Sequence, residues 1–102
     1  MNYQTELDGI RMDIQTVGFD ASEGLQQSIG KALQRLKRFY SGDVIAADVY
    51  MRNEETHSPS EKSLRIRVGV PGKDAFADDT GTAWEPLLRS VTDKLVKQLE
   101  KR

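Results

Sequence analysis

The chain has 102 residues, a net charge of −1 and no cysteine, so it makes one domain and holds no disulfide, thiol nucleophile or thiolate metal site. Hydrophobic residues make up 37% and charged residues 30%, the balance of a folded domain that buries roughly two-thirds of its unfolded surface. No run of about 18 apolar residues marks a membrane span, and the first residues lack the basic and apolar regions of a secretory signal.

Residues 1–9 show no periodicity and end in Asp8-Gly9, a turn signal. They read as a flexible leader to a single domain over 10–102. Ile10, Met12, Ile14 and Thr16 alternate with Arg11, Asp13 and Gln15, the pattern of a half-buried strand. Asp20 with Glu23 three positions on resembles a capping box, opening a helix whose apolar stripe is Leu25, Ile29, Leu33, Leu36 and Tyr40. Ser41-Gly42-Asp43 stops it. Val44 to Arg52 predicts a second strand with Ile45, Ala47, Val49 and Met51 on one face.

Residues 53–62 form a polar loop, followed by the cleanest strand of the chain, Ser63 to Val70. There Leu64, Ile66, Val68 and Val70 point inward, and Arg65 and Arg67 outward. Pro71-Gly72 is a turn. Asp74 to Asp78 is a weaker strand through Ala75 and Ala77, broken by Asp79-Thr80-Gly81. The last helix begins between Thr82 and Pro86 and buries Leu88, Val91, Leu95 and Leu99. The order is β-α-β-β-β-α: an α+β fold in which two amphipathic helices cover one face of a four-stranded sheet, with the first strand–helix–strand unit a parallel crossover.

The net charge conceals a segregation. Lys31, Arg35, Lys37 and Arg38 outnumber the acids of residues 20–40. Arg89, Lys94, Lys97, Lys101 and Arg102 outnumber those of residues 82–102. The negative charge gathers at Glu6/Asp8, Glu54/Glu55 and Asp74/Asp78/Asp79. On helical wheels Lys31, Arg35 and Arg38 share one side of the first helix, and Lys94, Lys97 and Lys101 one side of the last. Such rows suit a ligand with repeated negative charge, a phosphate backbone. The same rows also suit an ordinary solvated helix face, and the pattern leaves both readings open.

Little else carries chemistry. Arg65 and Arg67 share a sheet face with Asp48, Tyr50 and Arg52, as interstrand ion pairs do. Trp84 and Phe76 could stack on bases, but Trp84 also falls on the apolar side of its helix. His57, the only histidine, stands beside Glu54 and Glu55 without metal-ligand spacing. Asp74, Asp78 and Asp79 read as a solvated acidic turn rather than a calcium loop. No nucleophile elbow, phosphate loop or dinucleotide motif occurs. The residues predict no enzyme, no metal and no cofactor. A second class, a protein–protein module, remains, acting through the strand Leu64–Val70 at a sheet edge or through the acidic loops.

Three segments together resemble a known family. Asp93-Lys94-Leu95-Val96-Lys97-Gln98-Leu99-Glu100-Lys101 is similar to the "DKLxRQLxK" ending of the ribosome hibernation-promoting factors, a family that includes the ribosome-associated inhibitor and the sigma-54 modulation proteins. Leu33 to Tyr40 resembles its "LxKLxKYF" helix, and Leu64 to Val70 with Pro71-Gly72 resembles its strand and turn. The resemblance runs from about Met12 to Arg102 and suggests a short-form member. It implies a fold similar to a double-stranded-RNA-binding domain and a cytoplasmic protein, monomeric off the ribosome. Its implied partner is the small ribosomal subunit, where basic residues of both helices contact ribosomal RNA across the mRNA and tRNA path and repress translation in stationary phase. Carried over by position, the RNA-binding residues are Arg35 and Arg38 in the first helix and Lys94, Lys97 and Lys101 in the last, with Lys31 beside the first row.

Overall fold

The computed structural model describes residues 2–7, 9–40, 42–54 and 61–101. Seven elements follow one another: β1 (Asn2–Leu7), β2 (Ile10–Val17), α1 (Glu23–Phe39), β3 (Ala46–Glu54), β4 (Glu61–Gly69), β5 (Ala75–Gly81) and α2 (Trp84–Glu100). The strands form one five-stranded sheet in the order β1-β2-β3-β4-β5. β2 and β3 are parallel, as α1 between them requires, and every other pair is antiparallel.

Alternation on the strands builds the core. Ile10, Met12 and Ile14 of β2, Val49 and Met51 of β3, and Leu64, Ile66 and Val68 of β4 are all buried on the helix-covered face. Against them lie Ile29, Leu33 and Leu36 of α1 and Leu88, Val91, Leu95 and Leu99 of α2, one continuous apolar cluster. The spacing of three and four residues on each helix produces that stripe. The opposite sheet face is open to solvent.

Several expectations are corrected. The sheet has five strands, not four, because residues taken for a flexible leader form β1. Tyr3 of β1 packs against the core, and its hydroxyl donates to the Ala21 carbonyl at 3.2 Å. The helix cap is Ser22, not Asp20: the Ser22 hydroxyl oxygen accepts from the Leu25 N–H at 3.1 Å, the usual N-cap bond. Ile45 is 59% exposed because β3 begins at Ala46, two residues after the expected start at Val44, and Val44 takes the buried position instead.

β5 runs through Asp79 and Thr80 to Gly81 rather than breaking there. β4 lies between β3 and β5, so Leu64–Val70 offers no free edge to a partner strand. Residues 55–60, with His57, lie outside the described residues. The start of α2 falls within the expected interval: Pro86 is its third residue, where the proline ring deprives no intrahelical acceptor of a donor.

Candidate nucleic-acid interface

Both helices lie on the same sheet face, and side-chain bonds tie them together. The Ser28 hydroxyl donates to Glu85 Oε1 at 2.7 Å, and the Arg35 guanidinium pairs with Asp93 Oδ1 at 3.0 Å. Ser28 and Arg35 advance along α1 in the same sense as Glu85 and Asp93 along α2, so the helices run parallel, side by side. Between these two ties opens a groove of about 560 Å3, whose lining includes Lys31, Ala32, Leu88, Arg89 and Thr92.

The six sequence-predicted cations separate into groups. Lys31 and Arg35 line the groove. Arg38, Lys97 and Lys101 are exposed on the helix layer, without an ion pair among the described residues. Arg35 is shared between Asp93 and the ring of Phe39, which lies 6.0 Å from its guanidinium carbon; half of Phe39 is exposed. Lys94 turns the other way, onto the edge of β5. Its Nζ donates to the Asp78 carbonyl at 2.9 Å and lies 3.7 Å from Asp79 Oδ2. Beside it the Gln98 amide donates to the Phe76 carbonyl at 2.8 Å.

Asp79 is a junction of the same edge. It accepts from the Ser90 hydroxyl at 2.6 Å and from the Thr80 N–H at 2.8 Å. These two bonds, ahead of the nearby Lys94 charge, hold its carboxyl below the usual range. Sequence reasoning missed Arg89, an exposed cation in the groove wall opposite Lys31. The signal was present: Arg89, Asp93 and Lys97 are spaced by four and share one helix face.

The open sheet face has a different chemistry. Arg67 Nε donates to Asp48 Oδ2 at 3.0 Å, which raises the guanidinium pKa above its ordinary value. This is the expected cross-strand ion pair, in register between β3 and β4. Arg65 instead lies over the Phe76 ring at 5.6 Å. Trp84 is half-buried, packed on the core and stacked on Phe19 with centroids 5.0 Å apart. Core packing therefore engages the indole, whereas Phe76 stands in solvent, 50% exposed. Among the described residues no cluster of three or more His, Asp or Glu could hold a metal, and no helix is long and apolar enough to cross a membrane.

The described residues thus form a small α+β domain whose two parallel helices carry exposed cations on one layer. The comparison with known families gives this fold an identity: residues 12–102 match the family described as Sigma 54 modulation protein / S30EA ribosomal protein. The chain belongs to this family, a ribosome-associated and non-enzymatic one. No curated protein sequence matches significantly.

Among solved structures, the N-terminal domain of Thermus thermophilus Protein Y is similar with a TM-score of 0.75 and 16% identity, over 95% of this chain and 98% of that one. A ribosomal subunit interface protein from Coxiella burnetii is similar with a TM-score of 0.69 and 20% identity, over 86% of this chain and 93% of that one. At such identities the likeness is one of fold.

Proposed function

We propose that the chain is a cytoplasmic hibernation factor that occupies the mRNA and tRNA path of the small ribosomal subunit and represses translation in stationary phase. In this reading it lays the outer faces of α1 and α2 on ribosomal RNA and is monomeric off the ribosome. The observation that carries the reading is the parallel, side-by-side placement of the helices on one sheet face, tied by Arg35–Asp93 at 3.0 Å and Ser28–Glu85 at 2.7 Å. That placement supports reading the two rows as one positive strip, and a strip rather than a point is what repeated phosphates require.

The strip comprises Lys31, Arg35 and Arg38 with Lys97 and Lys101. Lys94 contributes charge from its flank while serving the β5 edge. The Coxiella burnetii neighbour, a ribosomal subunit interface protein, supports the same reading. Family membership supports it too, since hibernation factors act by occupancy and need no reactive group.

Sedimentation with purified small subunits tests the proposal. Co-migration at low salt is expected, with log affinity falling against log salt at a slope of about −3.5 to −4.5 for roughly five phosphate contacts. Reversing Arg38, Lys97 and Lys101 to Glu abolishes co-migration while the thermal transition stays in place. Absence of co-migration by the unaltered protein at low salt would sink the reading.

A further inference from the structure

The groove between α1 and α2 is closed at each end by a side-chain tie that also occupies a carboxylate. Glu85 accepts from Ser28, and Asp93 is paired with Arg35. One turn inward from these ties, Lys31 on α1 and Arg89 on α2 line opposite walls. Both are exposed, and neither has an ion pair or hydrogen-bonding side-chain partner among the described residues. The floor between them is small and largely apolar: Leu88 and Thr92 are buried and Ala32 is half-buried.

Packing alone does not account for this arrangement. Two like charges are placed across a shared depression, and Ala32 leaves the space between them unfilled. Glu85 accepts from the neutral Ser28 hydroxyl and Asp93 is paired with Arg35, so among the described residues neither carboxylate forms an ion pair with Lys31 or Arg89. The groove walls hold three cations, Lys31, Arg35 and Arg89, against two carboxylates, Glu85 and Asp93.

Building on the RNA-binding reading above, we propose that this groove is a seat for one nucleotide of RNA, its phosphate straddled by Lys31 and Arg89. The planar guanidinium of Arg89 makes two parallel bonds to phosphate oxygens, and the Lys31 ammonium approaches as a point charge. The sugar lies over Ala32 and Leu88. Packing of both helices into one apolar core fixes their separation, so the seat exists before RNA arrives and costs little ordering on binding. The seat adds a site of defined shape to a surface that otherwise meets phosphates along a smooth strip. It also makes Arg89 a principal RNA contact.

The test measures binding of small subunits by the unaltered protein, R89A, R89Q, R89K and K31A across a salt series, with folding followed by the fluorescence of Trp84, the single tryptophan. A lost charge-assisted contact weakens R89A and R89Q binding about ten- to a hundredfold and makes the salt slope shallower by about 0.9. R89K retains an intermediate affinity. With a short RNA hairpin as probe, the amide resonances of Ala32, Leu88 and Thr92 shift in the unaltered protein and not in R89Q.

If R89A and R89Q bind with unchanged affinity and slope, the seat is overturned, and the wider reading stands provided the Arg38, Lys97 and Lys101 reversals still abolish binding. Hairpin-induced shifts confined to other surfaces overturn it equally. If the unaltered protein does not bind small subunits, the wider reading falls, and the seat falls with it.

Discussion

Arg35 and Asp93 face each other across the two helices, guanidinium to carboxylate at 3.0 Å, each side chain 46% exposed. The pair holds α1 against α2, and it also competes with RNA for a cation of the proposed strip. An exposed pair of this kind contributes only about 0–1 kcal/mol to stability. Replacing Asp93 by Asn should therefore cost little in folding while freeing Arg35 for phosphate. The expected result is tighter small-subunit binding with a salt slope steeper by up to about 0.9. Weaker binding by D93N would mean that helix registration by the pair matters more to the surface than the charge it withholds.

Lys94 makes a different prediction, because its ammonium is committed to β5. The free edge of a sheet is an invitation to further strands. On β5 the carbonyls of Phe76 and Asp78 are taken by Gln98 and Lys94. The double variant K94A/Q98A exposes both acceptors and should self-associate at concentrations where the unaltered protein elutes as a single small species on size exclusion. In small-subunit binding, K94A alone should lose less affinity than K97A, since Lys97 is the side chain left in solvent. Equal losses would return Lys94 to the RNA-facing set.

Much of this architecture was legible in the chain, and the failures have physical causes. β2, β4 and both helices follow from their periodicity because each buries one full stripe. β1 escaped because an edge strand buries little: its inward positions are Tyr3, Thr5 and Leu7, of which Thr5 stays exposed. The end of β5 escaped because Asp79 at a helix-facing position reads as a break. Ser90 and Lys94 of α2 satisfy that carboxylate, and no local pattern announces donors from eleven or more residues away.

The cation rows were legible for the same reason as the apolar stripes, since charge repeats with the helical period. Their partners were not. Asp93 and Lys94 are neighbours in sequence, but about 100° apart on the helix. One side chain therefore points to α1 and the other to β5, a difference that only the assembled layers reveal.

Asp79 couples the β5 edge to pH. Its folded pKa is depressed, chiefly by the Ser90 hydroxyl bond and then by the Thr80 N–H. A depressed carboxyl contributes stability that is fully present above its unfolded pKa of about 3.9 and is lost as pH falls through the lower folded value. Melting temperatures followed from pH 5 downward should decline more steeply for the unaltered protein than for D79N, whose amide keeps an acceptor for Ser90 but does not titrate. The two should differ least at the acid end. Parallel curves would show that Asp79 is not a significant contributor to acid sensitivity.

Gly18 tests the crossover that sets the parallel pair. It follows β2 with φ of +86°, and a Cβ there would stand 2.6 Å from the Asn53 carbonyl oxygen at the end of β3. Two costs coincide: left-handed backbone, which disfavours any side chain by roughly 1 kcal/mol or more, and collision with backbone that cannot move aside without breaking the β2–β3 ladder. Gly9 has a similar φ of +80° but open space around the position of a Cβ, so it isolates the first cost. G9A should lower the melting temperature by about 4–8 °C, the shift for roughly 1 kcal/mol in a domain of this size. G18A should lower it by at least twice that. Equal shifts would mean that the Asn53 carbonyl yields to the added methyl group and that the close approach of β2 and β3 at this end is not a constraint on the fold.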